Sequence, residues 1–397
     1  MTAFWWARGR WEHSVWLQWI VLPAFAINGD HVWALWKEWL GDLGDGIRKN
    51  LWWFGLFSLM EWQFWVTGIR TGDWWGGAGS GKDLVLLTIV ISSFVLLARD
   101  AQALALLWRA IVGVGFVAIV VSAIQFYSHY GISEERFRLV WRYAPGFDAV
   151  TTGILVGFVL VCATGPWVQK IGSSWRCQVA LVALSILLGA ALAASESRGA
   201  FLAVVFALIV SGLQKFCNRT TTESLPSSRP AQLTFLLLPP VLGYLAYWLL
   251  ALRVGESSGD LVKRGSAGRF EIYQTYLSQL SPLDWVFGKG HVPSLPAEEL
   301  GWFVHHPHSA YLGQLVGYGL LGLVVFVVMI LTALWKMRRA PELPLLIFGL
   351  VAGLFDGGQI ITLFSLARWE ILVILVPLVV GMARLKTETP SGSAKSC

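Results

Sequence analysis

Residues 305–339 read HHPHSAYLGQLVGYGLLGLVVFVVMILTALWKMRR. Between Ala310 and Leu334 no side chain carries a charge. At about 1.5 Å per residue, a helix over that run crosses a hydrocarbon layer roughly 30 Å thick. Lipid also demands a helix there, because it offers the backbone no hydrogen-bond partner. The two ends differ in chemistry: Lys336, Arg338 and Arg339 close one, while His305, His306 and His308 stand just before the other. The run is expected to span a membrane, with its basic end cytoplasmic and its histidine end outside.

The pattern recurs along the chain. Only 14% of the 397 residues are charged and 56% are hydrophobic, whereas a soluble domain carries about a quarter charged residues. Many of the 23 tryptophans flank apolar runs, as indoles at a headgroup boundary do. Such runs occur at Val15–Ile27, Leu51–Ile69, Leu84–Ala98, Ala103–Phe126, Ala149–Ala163 and Gln178–Ala194. They continue at Gly199–Leu213, Leu233–Leu252, Ala310–Leu334, Leu343–Leu363 and Ile371–Leu385, with a short Trp-rich stretch at His31–Leu40 as one more candidate. Lys170 with Arg176, the cluster Lys215, Arg219 and Arg229, the cluster after Leu334, and Arg384 with Lys386 fall on one side by alternation. An N-terminus bearing Arg8 and Arg10 joins them only if the number of spans is even, so an all-α polytopic membrane protein of about twelve helices is expected.

That count divides the chain into N-terminal transmembrane helices (1–252, about nine), an extracytoplasmic loop (253–308), three C-terminal transmembrane helices (309–386) and a disordered cytoplasmic tail (387–397). The loop contains an expected amphipathic helix whose stripe is Phe270, Tyr273, Leu277 and Leu280, ended by Pro282 and followed by the turn Gly288-Lys289-Gly290. The net charge of +6 is spread over short loops, which fits membrane lipids as partners and not nucleic acid. Cys162, Cys177, Cys217 and Cys397 show neither disulfide nor zinc spacing. The N-terminus reads as an uncleaved first span.

Arg136, Arg138, Arg142, Arg198, Arg264, Arg269 and Arg368 break the positive-inside pattern, since all fall on the outer face at or near span ends. One arginine there snorkels; a group of them facing one cavity suits a phosphate-bearing ligand, because guanidinium forks match phosphate oxygens. His308 stands beside a helix N-terminus, where the dipole disfavours imidazolium and leaves a neutral ring able to accept a proton. A structural cap and a His-x-His metal site are the alternatives for that run. Glu61 and Asp356 lie within expected spans and are functional candidates without an evident ligand. Gly76-Gly77-Ala78-Gly79-Ser80-Gly81-Lys82-Asp83 imitates a phosphate-binding loop, but Asp83 replaces the magnesium-binding hydroxyl and no strand precedes it.

Ser195-Glu196-Ser197-Arg198-Gly199-Ala200 resembles the S-R-G-A element of O-antigen ligases and related O-antigen polymerases. Gly268-Arg269-Phe270-Glu271-Ile272-Tyr273 is similar to that family's G-R-x-x-x-W/Y element. His308-Ser309-Ala310-Tyr311-Leu312 with Gly319-Leu320-Leu321-Gly322 resembles its H-N-x-x-L…G-x-x-G element, Ser309 standing for the usual asparagine. The resemblance implies a GT-C-like membrane glycosyltransferase on the periplasmic face of a Gram-negative inner membrane. Its donor would be a glycan on undecaprenyl diphosphate and its acceptor a sugar hydroxyl of the lipid A–core, with no cofactor, whether metal or nucleotide. On this reading His308 is the general base, Arg198 and Arg269 bind the diphosphate, and the transfer inverts the anomeric centre. Arg264, Arg142 and His306 are second-line contacts to phosphate or core sugar. The rivals are a polymerase, which would use a second lipid-linked glycan as acceptor, and a polysaccharide or lipid transporter. A transporter would place its charges near the midplane and show internal repeats, whereas here the charges gather at one face.

Overall fold

The computed structural model describes residues 29–45, 47–72, 74, 80–130, 149–169, 175–195, 197–219, 241–242, 244–245, 269–297, 302–304, 306–357 and 369–388. Its helices are α1 (Gly29–Asp45), α2 (Ile47–Thr71), α3 (Ser80–Arg99), α4 (Ala101–Tyr130), α5 (Ala149–Ala163), α6 (Pro166–Gln169), α7 (Trp175–Ala194) and α8 (Arg198–Arg219). After them come α9 (Arg269–Ser278), α10 (Pro282–Phe287), α11 (Ala310–Lys336), α12 (Leu343–Phe355) and α13 (Val376–Glu388), the last preceded by a π turn at Ile371–Leu375. The strands β1 (Leu295–Ala297) and β2 (Trp302–Val304) form a small antiparallel ribbon in which Pro296 faces Phe303. Among the described residues all the other elements are helical.

α5 and the segment Ile371–Val380 are buried on every side, a pattern that places a helix in the middle of a bundle. α8, α11 and α4 instead turn apolar side chains outward. Phe206, Ile209, Leu213 and Phe216 are exposed on α8, and Val324, Val328, Leu331 and Trp335 on α11. Bare leucine, valine and phenylalanine over that length is costly in water and suited to lipid. Among the described residues, Ala101–Ser128 and Ala310–Arg339 are long and apolar enough to cross a membrane, and six shorter apolar helices accompany them. The runs expected at Val15–Ile27 and, for the most part, Leu233–Leu252 lie outside the described residues, as does the tail 389–397.

Two expectations need correction. The helix expected through Leu363 ends at Phe355; Asp356 is its C-cap in extended conformation, and Gly357 follows at φ +107°. Asp356 therefore caps a helix instead of lying inside one. In the loop helix the buried stripe is Ile272, Tyr276 and Leu280, packed with Leu295 and Val316, while Phe270 is 70% exposed. The helix docks by Ile272 and Tyr276 onto α11 and the ribbon, with Tyr273, Leu277 and Leu280 of the expected stripe packed on the same cluster and only Phe270 turned away. Pro282 does not merely end a helix: it opens α10, where Ser281 and Asp284 form a reciprocal capping box.

A break in α11 is what holds the loop. Gly319 lies at φ +69° inside that helix, a conformation glycine adopts without penalty. The break frees consecutive carbonyls, and outside donors take them: Lys289 N–H donates to Val316, Gly290 N–H to Gly317, and the Trp62 indole to Tyr318. Irregular backbone among membrane helices persists only where neighbours satisfy it in this way. Thr67 hydroxyl donates to the Gly290 carbonyl, and Arg70 pairs with Asp284 at 3.0 Å, fastening the loop to α2.

Candidate active site

The C-terminal end of α12 is where the expected site residues meet. Helices α8 and α12 approach closely because Gly199 has no side chain; a Cβ there would strike the Phe355 side chain. Arg198, exposed on the first turn of α8, is thereby carried to the same end of the bundle as Phe355. Arg269 begins α9, and its guanidinium lies 6.0 Å from the Phe355 ring centre. Thus two arginines start two helices beside one aromatic ring. A cation at a helix N-terminus is disfavoured by the dipole unless an anion joins it, and backbone N–H groups there favour that anion too.

His308 lies next to the N-cap of α11, Ser309, whose hydroxyl accepts from Leu312 N–H. The backbone at His308 is left-handed, with φ +50°, an uncommon conformation for a side-chain-bearing residue. Its carbonyl, N–H and ring Nδ1 are each engaged. The Tyr273 hydroxyl donates to its carbonyl at 3.3 Å, its N–H faces His306 Nδ1 at 3.3 Å, and its ring Nδ1 lies 3.1 Å from Asp356 Oδ1. Asp356 is 1% exposed, and its other oxygen accepts from the Thr151 hydroxyl at 3.3 Å. A carboxylate can only accept, so Nδ1 is assigned the proton and the Nε2 lone pair is left for chemistry. Burial pushes the Tyr273 phenol upward despite the neighbouring Arg269, so the hydroxyl keeps its proton and remains a donor.

His306 joins the cluster, its ring centre 4.2 Å from that of His308. Arg142, Arg264, Arg136, Arg138 and Arg368 lie outside the described residues. Glu61 is exposed on α2, and Asp356 acquires the partner that its position in the sequence did not reveal. Thr151 and Phe355 are additions of the fold, as is the bond from Tyr273 to the His308 carbonyl. The one signal for Asp356 was an acid at the edge of an apolar run followed by Gly357 and Gly358, a combination that ends helices.

The opposite end of the bundle has a different character. A cavity of about 300 Å³ is bounded there by Thr164, Pro166, Trp167, Gln214 and Arg339. Nearby, Arg384 pairs with the fully buried Glu342 at 2.8 Å. None of these residues adjoins His308, so this cavity is not where the reactive groups are.

Comparison with known proteins finds similarity over part of the chain. The family model described as O-Antigen ligase matches residues 183–327, which include Arg198, Arg269 and His308. An O-antigen ligase of Pseudomonas aeruginosa is 27% identical over 239 residues, an alignment covering 56% of this chain and 53% of that protein. The chain thus spans about half the length of this curated relative. No solved structure matches the chain significantly.

Proposed function

We propose that this O-antigen ligase-type protein transfers a polysaccharide from undecaprenyl diphosphate to a sugar hydroxyl of the lipid A–core, at the periplasmic face of the inner membrane. The observation that carries the reading is the His308–Asp356 contact of 3.1 Å, set at the bundle end where Arg198 and Arg269 begin their helices. A diphosphate on the anomeric carbon is already a competent leaving group, so the protein needs to supply only charge neutralisation and a base.

His308 Nε2 takes the proton of the acceptor hydroxyl as its oxygen attacks the anomeric carbon. The bond from that carbon to the diphosphate oxygen breaks, and undecaprenyl diphosphate leaves with the electron pair. Arg198 and Arg269, aided by two helix N-termini, stabilise the charge that develops on it. Asp356 holds the imidazole in the reactive tautomer and stabilises the imidazolium that forms, as in other histidine–carboxylate pairs. A single displacement inverts the anomeric centre and requires neither metal nor nucleotide. His306, with Arg264 and Arg142 as further contacts, is assigned to phosphate or core sugar.

Purified protein in detergent, given a defined lipid-linked glycan and lipid A–core, tests this directly. The expected product is glycosylated lipid A–core of inverted configuration by NMR, formed in the presence of a chelator. Extension of a second lipid-linked glycan instead of lipid A–core would mark a polymerase, and retention of configuration would refute the single displacement.

A further inference from the structure

We infer that His306, His308 and Asp356 form a binding site for a divalent transition-metal ion, best matched by Zn²⁺, and that occupancy switches the base off. The inhibitory half rests on the proposed general-base role; the binding half does not. Each residue offers one ligand atom, and these atoms lie within 4.8 Å of one another. His308 Nδ1 and Asp356 Oδ1 are 3.1 Å apart. Two ligands on one tetrahedral zinc, with bonds of about 2.0–2.2 Å, stand roughly 3.3 Å apart. The spacing that lets this pair share a proton therefore also lets it share a metal.

Two imidazoles and one carboxylate are the donor set for zinc, cobalt or nickel, and are too nitrogen-rich for magnesium or calcium. The anionic member is the buried one, while both histidine rings are partly exposed, so an ion has charge to meet and a way in. Thr151, already bonded to the second Asp356 oxygen, supplies the outer contact that orients a ligating carboxylate. The 3.3 Å approach of the His308 N–H to His306 Nδ1 is long for a hydrogen bond and yields to a metal–nitrogen bond. With three protein ligands a fourth position stays open to water. The His308 ring is then fixed to the ion and loses the Asp356 hydrogen bond that sets its tautomer, so the acceptor hydroxyl has no base. The reaction itself runs without the ion.

Full-length protein prepared without a polyhistidine tag is titrated with Co²⁺ in the absence of substrate. A saturable visible absorption, displaced by Zn²⁺, is expected at one ion per chain, and His306→Ala and Asp356→Asn should each weaken it about tenfold or more. Because either variant can disturb folding, wild-type protein is also treated with diethyl pyrocarbonate. Zn²⁺ should protect His306 and His308 from modification, as read by mass spectrometry. A featureless titration, variants that bind as the wild type does, or unprotected histidines would overturn the site. In the ligation assay Zn²⁺ should stop turnover and a chelator restore it; ions bound without loss of turnover would overturn the switch. If no ligation is catalysed at all, the proposed function fails while the spectrum and protection still decide the site.

Discussion

In the proposed reaction His308 concentrates the chemistry, its carbonyl, N–H and Nδ1 being held by neighbours and its Nε2 left for the acceptor proton. His308→Ala should lower turnover by about 10²–10⁴-fold, the usual contribution of a positioned base, while expression and insertion into the membrane stay intact; near wild-type turnover would remove the general-base assignment. Asp356→Asn removes one charge-assisted hydrogen bond of roughly 1.5–3 kcal/mol. A fall of about 10–150-fold in kcat with little change in KM is expected from steady-state kinetics. Tyr273→Phe loses a neutral bond to the His308 carbonyl, for which a twofold to tenfold loss is the scale. Its kinetics should show a lower kcat and an unchanged KM for the donor.

At the scale of elements, the broken helix α11 decides whether the loop is held in place. A Cβ at Gly319 would collide with the Val286 carbonyl, and its φ of +69° adds a strain of order 1–3 kcal/mol. Gly319→Ala should free the loop from α2 and α11: thermal unfolding shifts downward, proteolysis between Arg269 and Gly290 accelerates, and ligation is lost. The fastening at Asp284 has a pH signature. Burial pushes this carboxyl up, but the Ser281 hydroxyl and N–H, with Arg70, hold it below its ordinary value of 3.8. A depressed carboxylate stabilises above its unfolded pKa, and the contribution fades as pH falls through the folded value. Wild-type protein should therefore lose loop protection in hydrogen exchange below about pH 4, and Asp284→Asn should flatten that dependence. The effect is small, since a partly exposed ion pair contributes about 0–1 kcal/mol.

Across the whole molecule, the two ends of the bundle are chemically opposite. One holds His308, Asp356 and the arginines that open α8 and α9; the other holds Lys336, Arg338, Arg339 and the Arg384–Glu342 pair. The sidedness implied by the basic clusters can be measured by replacing single residues with cysteine in a background free of the native four. A membrane-impermeant maleimide should label Ser281→Cys in intact spheroplasts and Arg338→Cys only after permeabilisation. Labelling of Arg338→Cys in sealed cells would invert the topology.

The long uncharged run from Ala310, the tryptophan-flanked apolar segments and the basic clusters were legible directly, because lipid constrains length and charge with little regard to neighbours. Arg198, Arg269 and His308 were singled out because each sits in a short local element of sequence, and the fold carries these elements to one end of the bundle. Other features were invisible. Asp356 lies far from His308 in the chain, and nothing local says that α12 ends at Phe355 and turns its cap toward the histidine. The loop helix buries Ile272 and Tyr276, not Phe270, because α11 and the ribbon select the face, and the apolar pattern there suited more than one. The sequence by itself determined a helical membrane protein with a histidine and two arginines at one end. Only the tertiary structure decided which carboxylate meets the histidine, how a broken helix anchors the loop, and that His306 lies against both. Hydropathy and charge act along the chain, whereas hydrogen bonds of about 3 Å depend on which helix ends the fold brings together.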